Sequence, residues 1–96
     1  MNNYHISSQA QEDLHDIWLY IARDSFEAAD RILDAINDGF ISLGDMPGIG
    51  HVREDLTDKD VRFFSVHKYM IVFRLLKSGV EIVRVLHGYR DIQRIL

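Results

Sequence analysis

Three apolar segments in the last third of the chain constrain its fold more than any other feature. They occupy residues 61–66, 69–75 and 80–86, and each is rich in β-branched or aromatic residues. Such residues favour strands, and apolar positions alternate with arginine along them. Only His67 and Lys68 separate the first two segments, and a short glycine-containing turn separates the next two. Because connections this short join antiparallel neighbours, the sequence predicts a three-stranded meander.

A first amphipathic helix is predicted well before these strands. It begins at Ser8, which is spaced from Gln11 as in a capping box. Apolar residues then recur every three or four positions, which places them on one helical face. These residues are Ala10, Leu14, Ile17 and Ile21. Trp18 lies beside this face and widens it.

A second helix follows after a short connection. Asp24 and Glu27 are spaced as another capping box, and Ser25 is an alternative cap. The helix should end near Gly44, because Pro47 cannot continue it. The short connection between the two helices predicts an antiparallel helical hairpin.

Together these segments predict one α+β domain over residues 1–96, in the order β-α-α-β-β-β. Residues 4–7 supply a short N-terminal edge strand, and the hairpin packs on one face of a mainly antiparallel sheet. The opposite face is expected to be free for a binding site. The tail from residue 89 fits either a helical turn or a loose end.

Composition excludes several classes of site and reveals a strong charge asymmetry. The chain has no cysteine, so it has no disulfide, cysteine nucleophile or zinc–thiolate site. No signal peptide and no apolar run of membrane-spanning length are present, so we expect a cytoplasmic protein without membrane contact. Residues 1–60 carry thirteen acidic and four basic residues, a net charge of −9, whereas residues 61–96 carry two acidic and seven basic residues, a net charge of +5. The basic C-terminal strands therefore form the candidate working surface.

The histidines do not predict a metal centre. They lie at positions 5, 15, 51, 67 and 87, with neither an i, i+4 pair nor an H-x-H motif. We therefore expect no metal and no cofactor. His67 and His87, each beside a tyrosine and a basic residue, are the candidates for acid–base chemistry on RNA, with Arg90 stabilising the developing negative charge. Any basic sheet shows the same residue types, so local hydrogen bonding at the strand ends explains the two histidines as well.

The sharpest polar pair in the sequence is Arg90–Asp91, directly after the last strand and Gly88. Arginine binds carboxylate or phosphate through two parallel hydrogen bonds, and Asp91 either holds that group or caps the final turn. Arg84 and Arg74 are expected on the solvent-exposed side of neighbouring strands. The aromatic residues needed to stack nucleic-acid bases are scarce there, so sequence-specific nucleic-acid binding is not expected.

Four groups of residues, in this order and spacing, give the chain a resemblance to the ParE branch of the ParE/RelE superfamily of bacterial type II toxins. They are Ser8-Gln9-Ala10-Gln11-Glu12-Asp13-Leu14 with Ile17, Tyr20 and Ile21; Leu43 with Pro47-Gly48-Ile49-Gly50 and Arg53; Val61-Arg62 with Tyr69 and Val72-Phe73-Arg74; and Ile82 with Arg84-Val85-Leu86-His87-Gly88-Tyr89-Arg90-Asp91. The resemblance covers almost the whole chain.

The resemblance implies a small toxin that a cognate ParD-like antitoxin holds inactive, in a system that stabilises a plasmid or chromosome. ParE-type members act on DNA gyrase, and RelE-type members cleave mRNA on the ribosome. The two share a fold, so the site has to decide between them. RelE-type sites use a basic cluster and often a C-terminal tyrosine. Here the tail after Asp91 has no tyrosine, and the strand from Val61 carries Phe63 and Ser65 where a nuclease would carry more lysine or arginine.

These departures favour a gyrase-binding toxin without catalytic residues of its own. Its expected target contacts lie at the end of the last strand, at Arg84, His87, Tyr89, Arg90 and Asp91. The expected antitoxin contacts are Leu14, Trp18, Ile21 and Arg74. Two alternatives stay open: an mRNA endonuclease that uses His67, His87 and Arg90, and a non-toxic family member that only binds its antitoxin.

Overall fold

The chain forms a four-stranded sheet with a helical hairpin on one face and a short helix on the other. The computed structural model describes residues 3–95, apart from the side chains of Tyr89, Arg90 and Gln93. In chain order the elements are β1 (Tyr4–Ile6), α1 (Ser8–Ala22), α2 (Phe26–Asp45), a 3₁₀ turn (Pro47–Ile49), β2 (Arg62–Val66), β3 (Tyr69–Leu75), β4 (Val80–His87) and α3 (Gly88–Ile95). This order confirms the predicted α+β class, and the tail is helical. Within the described residues, no helix is long and apolar enough to cross a membrane.

The sheet has the strand order β1-β4-β3-β2. Strands β2, β3 and β4 form the predicted antiparallel meander. Strand β1 lies beside β4 in parallel, with Tyr4 opposite Val80 and Ile6 opposite Ile82. A parallel pair cannot be joined by a tight turn, and here the helical hairpin, β2 and β3 lie between its two strands in the chain.

Serine side chains begin both long helices. Ser7 caps α1, and its Oγ accepts a hydrogen bond of 3.1 Å from the Ala10 N–H. The predicted cap was Ser8, one residue later. Ser7 is the cap because its backbone is extended, with φ −64° and ψ 161°, as a cap requires. Ser25, the predicted alternative, caps α2 by accepting from the Ala28 N–H.

The main core lies between the helical hairpin and the sheet. Its fully buried aromatic residues are Phe40 on α2 and Phe73 on β3. The other buried members are Ala10, Ile36, Leu43, Tyr69, Ile71, Val80, Ile82 and Val85. Burying an apolar side chain of this size stabilises the fold by roughly 1.5–3 kcal/mol, so this layer fixes the hairpin on the sheet.

The opposite face of the sheet is covered, which differs from the expectation of an open face. A second cluster joins Phe63, Val72, Leu86 and Ile92, and Leu56 from the long connection packs against it. Ile92 is on α3 and is fully buried. An isolated helix of eight residues is not stable in water, so burial of Ile92 holds α3 in place. Because β3 and β4 are apolar on both faces, the sheet requires two covering layers.

A one-residue shift in the pairing of β3 with β4 lies between Val72 and Phe73. Phe73 is opposite Ile82, and Val72 is opposite Arg84. The shift breaks the usual alternation, so that Ile82 and Val85, three residues apart, both reach the main core. It thereby reorients the end of β4, where the candidate site lies.

Candidate functional site

Side chains form hydrogen bonds with the main chain of β4 at residues 83–87, where β1 no longer pairs with this strand. Strand β1 pairs only with residues 80–82. Further along, the Ser7 hydroxyl donates to the Val83 carbonyl at 2.9 Å, and the Asp13 carboxylate accepts from the Val85 N–H at 2.9 Å. The Asp91 carboxylate accepts from the His87 N–H at 3.2 Å. These bonds satisfy main-chain groups that would otherwise invite another strand to pair with this edge.

Asp13 binds the first candidate contact residue, Arg84. The Arg84 Nε and Nη2 atoms donate to the two oxygens of the Asp13 carboxylate, each at 2.8 Å. Both side chains are largely buried, with 19% of Arg84 and 13% of Asp13 exposed. The hydrogen bonds to Asp13 raise the pKa of Arg84, whereas burial acts in the opposite direction. Arg84, expected on the solvent-exposed side of the strand, therefore links β4 to α1.

His87 and Asp91 mark the junction between β4 and α3. The exposed His87 ring packs edge-on against Tyr69, with the ring centroids 5.2 Å apart and the planes at 76°. Asp91 lies in the first turn of α3, where its carboxylate accepts from the His87 N–H and lies 3.6 Å from the Arg94 guanidinium. Gly88, between them, has a φ of 60°, which glycine adopts without strain. Strand and helix thus meet at a defined corner.

A cleft of 330 Å³ opens beside this corner. Its lining residues are Asp16, Ile17 and Tyr20 from α1, Tyr69 from β3 and His87 from β4. Asp16 and Tyr20 are one helical turn apart, so they project from the same face of α1. Burial raises the pKa of the Tyr69 phenol, and the nearby Tyr20 raises it further. The cleft therefore combines aromatic surface with one carboxylate. We call it the α1–β4 cleft.

A family model for the ParE toxin of the type II toxin–antitoxin system parDE matches residues 4–92. The chain belongs to the ParE toxin family. A solved chain from the chromosomal ParDE TA system of P. aeruginosa is similar to this ParE family member, with a TM-score of 0.74 and 20% identity over 92% of this chain and 97% of that one. A chain from the YoeB-YefM complex of Staphylococcus aureus has a TM-score of 0.60 and 17% identity, covering 93% of this chain and 99% of that one. At these identities the likeness shows the shared fold. No curated protein matches the sequence.

The structure brings the two candidate histidines of this ParE family member to the same end of the sheet. His67 lies in the β2–β3 turn with a φ of 54°, a left-handed conformation that is unfavourable for a residue with a side chain. The next residue, Lys68, accepts a hydrogen bond of 3.0 Å at its carbonyl from the Gly88 N–H. No hydrogen bond joins His67 to His87 in the described part. The side chains of Tyr89 and Arg90 lie outside the described residues.

The expected antitoxin contacts lie on two separate surfaces. Leu14 and Ile21 are half-buried against the main core. Trp18 is half-buried, donates from Nε1 to Asp30 at 2.9 Å, and stacks on Phe26 with the ring centroids 5.7 Å apart and the planes at 10°. Phe26 is 68% exposed. It was absent from the expected contacts because only the fold brings it beside Trp18.

Arg74 lies on the opposite face of the sheet from the hairpin core. Its Nε donates to the Glu81 carboxylate across the β3–β4 pair at 2.6 Å, and its side chain is 56% exposed. Exposed ion pairs of this kind are worth about 0–1 kcal/mol. Arg74 is therefore available to a partner at little cost in stability.

The sequence did not identify the α1–β4 cleft, although it named one lining residue, His87, as a candidate contact at the end of the last strand. Asp16 and Tyr20 show the i, i+4 spacing of a common helical face, which is the one local signal for this wall. Tyr69 and His87 meet this face only through the pairing of β3 with β4.

Within residues 3–95, no group of three histidine, aspartate or glutamate side chains is arranged to bind a metal ion.

Proposed function

We propose that this ParE-type toxin binds DNA gyrase and blocks it without breaking a bond itself, and that a cognate ParD-like antitoxin neutralises it. Membership of the ParE family carries this proposal. The proposed target contacts at the end of β4 are His87, Tyr89 and Arg90. Arg84 and Asp91, expected as contacts, support this corner through their own hydrogen bonds instead.

The hydrogen bonds at the junction of β4 and α3 favour a binding role for this corner over a catalytic one. The Asp13 carboxylate holds Arg84 and the Val85 N–H, and Asp91 holds the His87 N–H. These groups maintain the backbone, whereas a general acid or base has to be free to exchange a proton with its substrate. The exposed His87 ring is then a contact group on a rigid support.

The negative charge of the helical hairpin favours an antitoxin segment that is basic. Residues 8–45 carry nine acidic and two basic residues, a net charge of −7. The stacked Trp18 and Phe26 form an exposed aromatic surface within this acidic field. Aromatic anchors surrounded by charge are typical of protein interfaces. An amphipathic helix with an apolar face and basic flanks would complement this surface.

Inducible expression in bacteria, with and without the adjacent small gene, tests the function. We expect growth arrest and induction of the DNA-damage response before translation declines, and rescue when the adjacent gene is expressed. Growth without arrest would support the non-toxic alternative. Early loss of translation with cleaved mRNA would support the RelE-like alternative.

The endonuclease alternative depends on one observation, the hydrogen bond that brings the His67–Lys68 turn to the end of β4. Replacing Arg90 with alanine separates the two functions. The gyrase proposal predicts weaker supercoiling inhibition with antitoxin binding retained. The endonuclease alternative predicts loss of mRNA cleavage at the ribosome instead.

Copurification tests the antitoxin surface. We expect Phe26→Ser to reduce the antitoxin recovered with the tagged toxin, because it removes the exposed half of the aromatic pair. Val52→Ser is the matched control: Val52 is 57% exposed and lies in the connection between the 3₁₀ turn and β2, outside the hairpin. Equal recovery with the two variants would contradict the proposed surface.

A further inference from the structure

The α1–β4 cleft has the composition of a site for an organic cation. Tyr20 and Tyr69 provide two aromatic rings, His87 packs edge-on against Tyr69, and Ile17 adds apolar surface. Aromatic rings carry negative charge on their faces and attract cations placed over them. Its volume of 330 Å³ is at the lower end of the range for small-ligand pockets, so it can hold one long side chain.

The charges around the cleft favour a positive group. Asp16 lies at its rim, is exposed, and has no hydrogen bond or ion pair to the described side chains. Helix α1 (Ser8–Ala22) carries three acidic residues and no lysine or arginine. One of the three, Asp13, is neutralised by Arg84. No described lysine or arginine lines the cleft itself. Arg84 and Arg94 line the adjoining pocket that also contains Asp16, but they are paired with Asp13 and Asp91. Asp16 is therefore available to a cation from outside.

We propose that the α1–β4 cleft binds an arginine side chain of the basic antitoxin segment, an inference that rests on the antitoxin partner proposed above. The planar guanidinium stacks on an aromatic ring and at the same time directs two N–H groups at a carboxylate. Tyr20 and Asp16, one turn apart on α1, present these two groups together. A lysine ammonium ion matches the carboxylate but not the flat ring surface.

A contact within the chain already places a guanidinium group near the Tyr20 ring. The Arg23 guanidinium carbon lies 6.0 Å from the centroid of the Tyr20 ring. This distance is at the outer limit for a cation–π contact, and Arg23 does not line the cleft. The Tyr20 ring is thus accessible to a guanidinium group, and both Tyr20 and Asp16 line the cleft.

Nuclear magnetic resonance on the ¹⁵N-labelled full chain tests the inference without the antitoxin. The probe is N-acetyl-arginine amide, and N-acetyl-citrulline amide is its uncharged analogue of nearly the same shape. We expect saturable shifts at the amides of Asp16, Tyr20, Tyr69 and His87 with a Kd of roughly 1–10 mM. Citrulline should bind at least about fivefold more weakly, because it has lost the charge. Equal binding of citrulline, or no saturable shift, would overturn the proposal.

Variants separate the cleft from the general negative field of the hairpin. Asp16→Asn and Tyr20→Leu should each weaken arginine binding about fivefold. Asp34→Asn, which removes an exposed acid from α2, should leave it unchanged. Equal weakening by Asp16→Asn and Asp34→Asn would show that only the field matters and would refute the cleft. Binding of N-acetyl-lysine amide as tight as that of arginine would refute the arginine assignment.

The titration and the expression test together distinguish failure of this inference from failure of the proposed function. A cleft that binds arginine in a chain that causes no growth arrest would leave the site standing and remove the toxin role. Growth arrest with antitoxin rescue and no arginine binding would remove the site alone.

Discussion

Replacing Asp13 with asparagine tests how strongly a single carboxylate holds α1 against β4. The carboxylate accepts two hydrogen bonds from Arg84 and one from the Val85 N–H, at 2.8, 2.8 and 2.9 Å. Asparagine keeps the size of the side chain but removes its charge. It therefore leaves the Arg84 guanidinium, only 19% exposed, without its hydrogen-bonded counter-ion, while the charges of Glu12 and Asp91 still act on it more weakly.

The expected cost follows from this burial. Removing one partner of a fully buried ion pair costs about 3–5 kcal/mol. The remaining exposure of Arg84 lets water screen part of its charge, which reduces the expected loss to about 2–3 kcal/mol. For a domain of this size the slope of unfolding in urea is about 1–1.5 kcal/mol per molar. The midpoint of urea unfolding should therefore fall by about 2 M, with the slope unchanged.

Circular dichroism during urea titration measures this shift. Asp16→Asn is the matched control, since Asp16 is exposed on the same helix and should change stability by less than about 0.5 kcal/mol. In a double-mutant cycle, Arg84→Gln should cost less in the Asp13→Asn background than in the wild type, with a coupling above about 1 kcal/mol. A loss from Asp13→Asn as small as that from Asp16→Asn, or additive variants, would refute the reasoning.

Three further perturbations test other parts of the fold. Gly50→Ala should destabilise the protein by about 1–3 kcal/mol in urea unfolding, because an added Cβ would overlap the buried ring of Phe73. Gly48→Ala is the control, since an added Cβ there would have no atom within 4 Å and should change stability little. Equal effects of the two variants would contradict this packing. His67→Gly should raise stability by about 0.5–1 kcal/mol by relieving the φ of 54°, and a lower unfolding midpoint would contradict it. The raised pKa of Tyr69 favours the neutral phenol in the folded state, so its contribution is complete below its ordinary pKa of 10.0 and is lost as the pH rises through the folded pKa. The unfolding midpoint should fall above about pH 10, and Tyr69→Phe should lessen that fall; an identical alkaline profile for the variant would contradict the assignment.

The elements that were predicted correctly have local causes. The β2–β3 turn follows from two residues between strands, and the two long helices follow from apolar spacing and capping serines. The first cap was wrong by one residue, because Ser7 and Ser8 are chemically equivalent in sequence. Only the extended backbone of Ser7 distinguishes them.

The features that escaped prediction depend on contacts between distant residues. The Arg84–Asp13 pair joins residues 71 positions apart. No spacing rule reports such a pair, so Arg84 was expected to be a free surface residue. Likewise, the apolar positions of α3 did not reveal that Ile92 completes a second core on the outer face of the sheet.

The candidate site was predicted in part for the same reason. His87 and Asp91 were expected at the end of β4 because the end of an apolar strand is visible in the sequence, and their role as target contacts stays a prediction. The opposite wall of the α1–β4 cleft was not, because Asp16 and Tyr20 lie on a helix that reaches His87 only in the folded chain.

A DNA supercoiling assay with purified gyrase and purified toxin, with and without its antitoxin, tests whether the toxin blocks gyrase. We expect loss of supercoiling at micromolar toxin, accumulation of cleaved DNA–gyrase complexes, and recovery on adding antitoxin. Full gyrase activity at these concentrations, together with cleavage of mRNA when the same preparation is added to translating ribosomes, would contradict the proposed function.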